Sequence, residues 1–184
     1  MGPARVSLRD GRCASIRPVR PADLDGLRAF FAALAPLTLK MRFHLPLREV
    51  DEAQLRAFTQ VDHRNHVALV AESCGTPHGR TAIIADARYA CAAGADSAEF
   101  AVVVAEEWRR IGLGTHLARA LLTAAHLAGL KRLCGDTLVD NTGVRAFLRS
   151  LGERSATFKG ADVIERCLET ASRTLPFTHP GESP

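Results

Sequence analysis

The residue types best suited to chemistry lie in "EFAVVVAEEWRRIGLGTHLARALL", residues 99–122. Arg109 and Arg110 precede two glycines one residue apart, Gly112 and Gly114, and the pattern passes at once from apolar strand to apolar helix. A helix that starts after such glycines offers unpaired backbone N–H groups, with no side chains to crowd an approaching ligand. Its partial positive charge is worth about 0.3–1 kcal/mol per neighbouring anion, too little to hold a large ligand alone. The two guanidinium groups add full charges, and the combination would cradle a phosphate or diphosphate. The bland alternative is a turn whose glycines serve only the backbone, and a GxG alone does not exclude it.

Three phosphate-binding patterns compete for this stretch. A P-loop requires G-x-x-x-x-G-K-[ST], and no lysine follows the glycines. A dinucleotide turn requires G-x-G-x-x-G directly on the strand end. Here Leu117 fills the third glycine position, and residues 105–111 intervene. The pattern R/Q-x-x-G-x-G/A is met by Arg109, Gly112 and Gly114, with strand before and helix after.

The rest of the chain must position this joint. "RCASIRPVR" reads as a strand, and Pro21, Asp23 and Asp25 as the first turn of a helix ending before Pro36. Leu24, Leu27, Phe31 and Leu34 give that helix one buried stripe. Short helices are predicted over residues 38–44 and 51–59, the latter capped by Asp51. "HVALVAES" and "RTAIIADARYA" are strands joined by the turn "CGTPHG", and "AAGADS" turns the chain into the strand "AEFAVVVA". After the glycines Leu117, Leu121, Ala124, Ala125 and Ala128 make a helical apolar face that Gly129 ends. "KRLCGDTLV" is a strand, "NTGVRAFLRSLG" a helix, and "ATFKG" with "DVIERCLET" a final hairpin. This order predicts an α/β or α+β fold: a mixed, mostly antiparallel sheet with helices on its faces. The strands around residues 98–105 and 131–139 would form a parallel pair joined by a right-handed crossover.

Bulk properties set the limits. The 184 residues, 47% hydrophobic and 24% charged, suit a single domain with a substantial core. We divide them into an extension (1–11), one domain (12–171) and a loosely attached tail (172–184) rich in Pro, Ser and Thr. A net charge of +4 favours anionic partners mildly, but 24 Lys+Arg against 20 Asp+Glu is far from a nucleic-acid-coating protein. Cys13, Cys74, Cys91, Cys134 and Cys167 are scattered, odd in number and never in a C-x-x-C pair, which predicts free thiols in a reducing compartment. No run approaches membrane-spanning length and the first residues hold no apolar segment. A soluble, cytoplasmic protein without membrane or nucleic-acid partners is expected, and an oligomer is allowed.

With the loop, "SIRPVRPADLDGLRAF" and "VDNTGVRAFLRSLG" complete a resemblance to the GNAT N-acetyltransferase superfamily over residues 12–170. The stretch "KMRFHLPLREVDEAQLRAFTQVDHRNHVALVAE" is further similar to the acetyltransferase domain of Pat-type bacterial protein lysine acetyltransferases. The resemblance implies acetyl-CoA as co-substrate, no metal, and a primary amine as acceptor, either a protein lysine or a small molecule. It also implies that the parallel strands splay apart around pantetheine. Val102, Val103 and Val104 would hold the arm through their backbones, and an N–H near Val103 would polarise the thioester carbonyl. Arg109, Arg110, Ile111, Gly112, Leu113, Gly114 and Thr115 would take the diphosphate. Asn141 would contact the cofactor, with Val144 on the helix behind it.

A lysine amine has a reference pKa near 10.4, so at neutral pH only about one in a few thousand is free base. Glu99 is the expected general base. It shares a strand face with Val103 in an otherwise apolar run, where members of the family often carry their base. The alternative is a solvated Glu at a strand start, and Asp136 is a second acid. Many relatives carry a Tyr seven residues after the Asn as acid for the departing thiolate, but this chain has Leu148 there, and its only tyrosine is Tyr89. That departure leaves the general acid unassigned and keeps open a non-catalytic acyl-CoA-binding module. Cys134 reads as a buried structural residue, His63 and His66 as turn residues, and Arg42 and Phe43 either line the amine side or pack a short helix.

Overall fold

A computed structural model of the chain describes residues 2–75, 81–153, 155–159 and 163–170. Its strands are β1 (Ala4–Ser7), β2 (Cys13–Pro18), β3 (His66–Ser73), β4 (Ile83–Ala90), β5 (Ser97–Val104), β6 (Arg132–Leu138), β7 (Ser155–Phe158) and β8 (Val163–Glu169). The helices are α1 (Leu24–Ala33), α2 (Pro36–Phe43), α3 (Glu52–Thr59), α4 (Leu113–Leu127) and α5 (Thr142–Ser150). The strands make one sheet in the order β1-β2-β3-β4-β5-β6-β8-β7, antiparallel throughout except for the parallel pair β5–β6. The expected fold class and the crossover through α4 are observed.

Period-2 alternation sends the two faces of the sheet to different helices. On one face Ala85, Ala87, Tyr89 and Phe100 pack with Leu113, Leu117, Leu121 and Ala125 of α4. On the other, Ala68, Val70 and Val103 meet α1, α2 and α3, where Phe31 lies against Phe43 and Phe58 with ring centroids 5.9 and 5.7 Å away. The stripe predicted for α1 is the buried one, with Leu27, Phe31 and Leu34 in this core and Leu24 packed at its edge. Asp51 caps α3, accepting the Gln54 N–H at 2.7 Å. The second helix starts earlier than expected, because Pro36 sits at its first position with φ already set for a helix. Arg17 ties β2 to the start of α1 and to β3, donating to Asp23 at 2.7 Å and to Glu72 at 2.5 Å.

Three features depart from the sequence reading or fall outside it. Residues 4–7, within the segment read as an extension, pair with β2 from Ala4↔Ile16 to Ser7↔Cys13 as the edge strand. Only Val6 packs against the core there, too little apolar pattern to read as a strand. Cys134 and Cys167, expected as free thiols, are joined in a disulfide. They are directly opposed on antiparallel β6 and β8, where Cα atoms lie 4.1 Å apart, and only the register shows this. Cys13, Cys74 and Cys91 are free. The turn "CGTPHG" beyond Gly75 and the tail 172–184 lie outside the described residues. No helix among the described residues is long and apolar enough to cross a membrane.

Candidate active site

The parallel pair is short. Ser97↔Arg132, Ala98↔Leu133 and Glu99↔Cys134 are its registered partners, although β5 continues to Val104 and β6 to Leu138. Each strand keeps its outer neighbour along this length, so the sheet opens between them and leaves two facing backbone edges. Gly135 stands at the point of divergence, where a Cβ would lie 2.8 Å from the Phe100 carbonyl oxygen. The Ala105 N–H donates to Ile84 O at 2.9 Å, so by the two-residue period the Val103 N–H faces β4 while Val102 and Val104 turn theirs to the gap. The Val103 N–H itself is therefore turned away from the gap, and those of its neighbours Val102 and Val104 face it.

At the far end of the gap the chain enters α4. Gly112 is the N-cap, with φ of 101° and no side-chain hydrogen bond closing the helix. A φ this far positive favours glycine, whereas Arg110 takes the ordinary left-handed conformation, with φ of 61°. The N–H groups of Leu113, Gly114 and Thr115 have no intrahelical acceptor. At Gly114 an added Cβ would meet Phe147 at 3.6 Å and Val104 at 3.8 Å, ordinary contact distances, so packing does not demand glycine there. Both glycines are half-buried, and neither is sealed against protein.

The two arginines of the motif behave differently. Arg109 donates to Val104 O at 2.9 Å, to the Thr38 hydroxyl at 2.7 Å and to Glu106 at 3.1 Å, fastening the loop to the end of β5 and to α2. Burial pushes the Glu106 carboxyl up, but the Thr38 hydroxyl, backbone N–H donors and the Arg109 charge outweigh it and hold the group below its ordinary range. Arg110 is exposed and, among the described residues, engages no carboxylate. Ile111 packs against the core and accepts the Arg9 N–H at 3.0 Å.

Glu99 is exposed and lines a cavity of about 340 Å³ with Asp136, Lys159, Glu165 and the two bonded cysteines. No hydrogen bond or ion pair among the described residues engages its carboxylate. Asp136 is already paired with Lys159 at 3.1 Å, and Lys159 reaches Glu165 at 2.8 Å. Arg42 stacks over Phe43 at 4.8 Å. Burial lowers its pKa, while Asp86 and Glu99 pull it back up, so it packs a helix and also feels the Glu99 charge. Asn141 caps α5, its carbonyl oxygen accepting the Val144 N–H at 3.1 Å. Leu148 and Tyr89 are both buried in the core, and burial raises the Tyr89 phenol.

The structure thus gathers Val102, Val104 and residues 109–115 along one gap, and sets Glu99 where that gap opens. Two residues beside the gap and its loop fall outside the sequence reading, Arg9 against Ile111 and Gly135 against Phe100. A glycine inside a strand is a recognised sign of close backbone approach, so Gly135 carried a signal; Arg9 carried none.

The acetyltransferase (GNAT) domain family matches residues 15–154. An acetyltransferase of Pseudomonas aeruginosa is 30% identical over 146 residues, covering 79% of this chain and 77% of its own. The acetyltransferase Pat of Mycolicibacterium smegmatis is 30% identical over 152 residues, 82% of this chain but 44% of that relative, so the chain spans under half its length. The crystal structure of the GNAT domain of S. lividans PAT has the same fold, with a TM-score of 0.81 at 24% identity over 91% of this chain and 96% of that one. A family match across most of the chain, on a sheet that parts between its two parallel strands, makes this protein a member of the GNAT acetyltransferases.

Proposed function

We propose that the chain moves an acetyl group from acetyl-CoA to a primary amine, with a protein lysine as the acceptor class and Glu99 as general base. The observation that carries this reading is the unpaired Glu99 carboxylate at the mouth of the divergent strand pair. When bound, acetyl-CoA supplies an acetyl group activated as a thioester. The residues present fit such a ligand: gap-facing N–H groups of Val102 and Val104 would hold the pantetheine arm. The open first turn of α4, with Arg110 beside it, would hold the diphosphate. Asn141 would contact the cofactor from the start of α5. Arg109 serves by holding the loop in place, since its guanidinium is occupied by protein.

An acceptor arrives as an ammonium and must lose a proton before its nitrogen is nucleophilic. Glu99 is free to take it, whereas Asp136 is held by Lys159. Glu99→Gln keeps the shape and removes the basicity. Turnover of acetyl-CoA with lysine peptides should fall by roughly 100- to 10,000-fold, with acetyl-CoA binding retained. Release of free CoA measures the first and calorimetric titration the second. Unchanged turnover would strip Glu99 of the role, and wild-type turnover confined to small amines would move the acceptor class.

A further inference from the structure

Four arginines surround the start of α4, and they differ in what they already hold. Arg12 is committed: it pairs with Asp10 at 2.7 Å, donates to Glu107 O at 2.7 Å and stacks over Trp108 at 4.1 Å. Arg109 is committed to Val104, Thr38 and Glu106. Arg9 and Arg110 are exposed, and no carboxylate among the described residues balances either one.

Arg9 is nevertheless fixed in place. It lies in the tight turn between β1 and β2, closed by Leu8 N–H to Arg12 O at 2.8 Å and Gly11 N–H to Leu8 O at 3.0 Å, with Leu8 buried beneath it. The turn is pinned to the segment leading into α4 through Arg9 N–H to Ile111 O at 3.0 Å and through Arg12 on Glu107 O and the Trp108 ring. The Arg9 side chain consequently passes the N-cap of α4, its Cγ and Nε each 3.9 Å from where a Cβ on Gly112 would stand. Glycine at this N-cap puts no side chain of its own between the Arg9 stem and the helix start.

We propose that Arg9 is a diphosphate ligand of the acyl-CoA site, supplied from outside the loop motif by the β1–β2 turn. With Arg110 it sets two uncompensated cations at the first turn of α4, matching the two negative charges of a diphosphate diester. The assignment rests on the reading that acetyl-CoA binds here. It also gives the edge strand β1 a functional purpose, since β1 carries the turn to the loop.

The test measures dissociation constants of wild-type protein and Arg9→Ala for three donors. They are acetyl-CoA, acetyl-dephospho-CoA, which lacks only the ribose phosphate, and acetyl-pantetheine, which lacks the diphosphate and the adenosine as well. Arg9→Ala should weaken the first two by about tenfold and leave acetyl-pantetheine unchanged, and Arg9→Lys should recover part of the loss. Thermal unfolding of both variants should match wild type, because Arg9 is exposed. Equal weakening of all three donors, or of none, overturns the assignment. A loss seen only with acetyl-CoA overturns it in favour of the ribose phosphate. Wild-type protein that binds acetyl-CoA no better than acetyl-pantetheine would instead remove the diphosphate cradle, and with it the reading on which this assignment rests.

Discussion

At Gly135 a Cβ would lie 2.8 Å from the Phe100 carbonyl oxygen and 3.2 Å from its ring, and backbone cannot yield as the end of a flexible side chain can. Gly135→Ala is expected to force β5 and β6 to shift where they part, costing about 1–3 kcal/mol. Thermal unfolding should show a midpoint lower by several degrees, on the order of 2–4 °C per kcal/mol for a chain of this size. A wild-type midpoint would mean the strands do not meet there. At this scale the sequence exposes residues whose meaning is local. Gly112 shows itself by its motif, Glu99 by being the one carboxylate in an apolar run, and Asn141 by preceding a helix. Arg9 and the Val103 N–H are illegible, because one depends on a turn docking against a distant loop and the other on which neighbour each strand edge faces.

At the level of elements, periodicity and caps were enough to place α1, α3, α4 and α5 and most of the strands. Register was not available. The β6–β8 register that opposes Cys134 and Cys167 is a matter of how two distant strands align, and no residue type announces it. This crosslink has a measurable consequence. It joins residues 33 apart in sequence, and closing a loop of that length in the unfolded chain is worth about 3–4 kcal/mol. Reductant should therefore lower the unfolding midpoint of wild-type protein by about 6–16 °C, at 2–4 °C per kcal/mol. Cys134→Ser should begin at the lower value and show no response to reductant; a response of equal size in that variant would mean another pair is bonded.

Across the whole molecule, stability should decline toward acid. The Asp23 carboxyl is pushed up by burial but brought below its ordinary range by Arg17, which joins β2, α1 and β3. Asp10, Asp62 and Glu106 are lowered too. A carboxylate whose folded pKa lies below its unfolded value, about 4, contributes stability above that value and loses it as pH falls through the folded one. His66 and His116 are depressed by burial first, then by the charges of Arg88 and Arg119 respectively. The unfolded chain protonates them more readily, so their loss begins near pH 6.5. The unfolding midpoint should therefore sag gently below about pH 6.5 and steeply below about pH 4, and Asp23→Asn should flatten the steep part. A midpoint that rises on acidification would reverse the sign of this coupling.

The sheet is in effect two ribbons, five strands and three, stitched by the brief register of Ser97 to Glu99 against Arg132 to Cys134. The disulfide reinforces the smaller ribbon and does not cross the seam. A thioester donor lying in that seam would stand in for the absent stretch of hydrogen bonds, and the sheet would be continuous only with the donor in place. Releasing CoA would then give up the hydrogen bonds by which the donor joins the two facing edges, returning the sheet to a pair of ribbons held only by that short register.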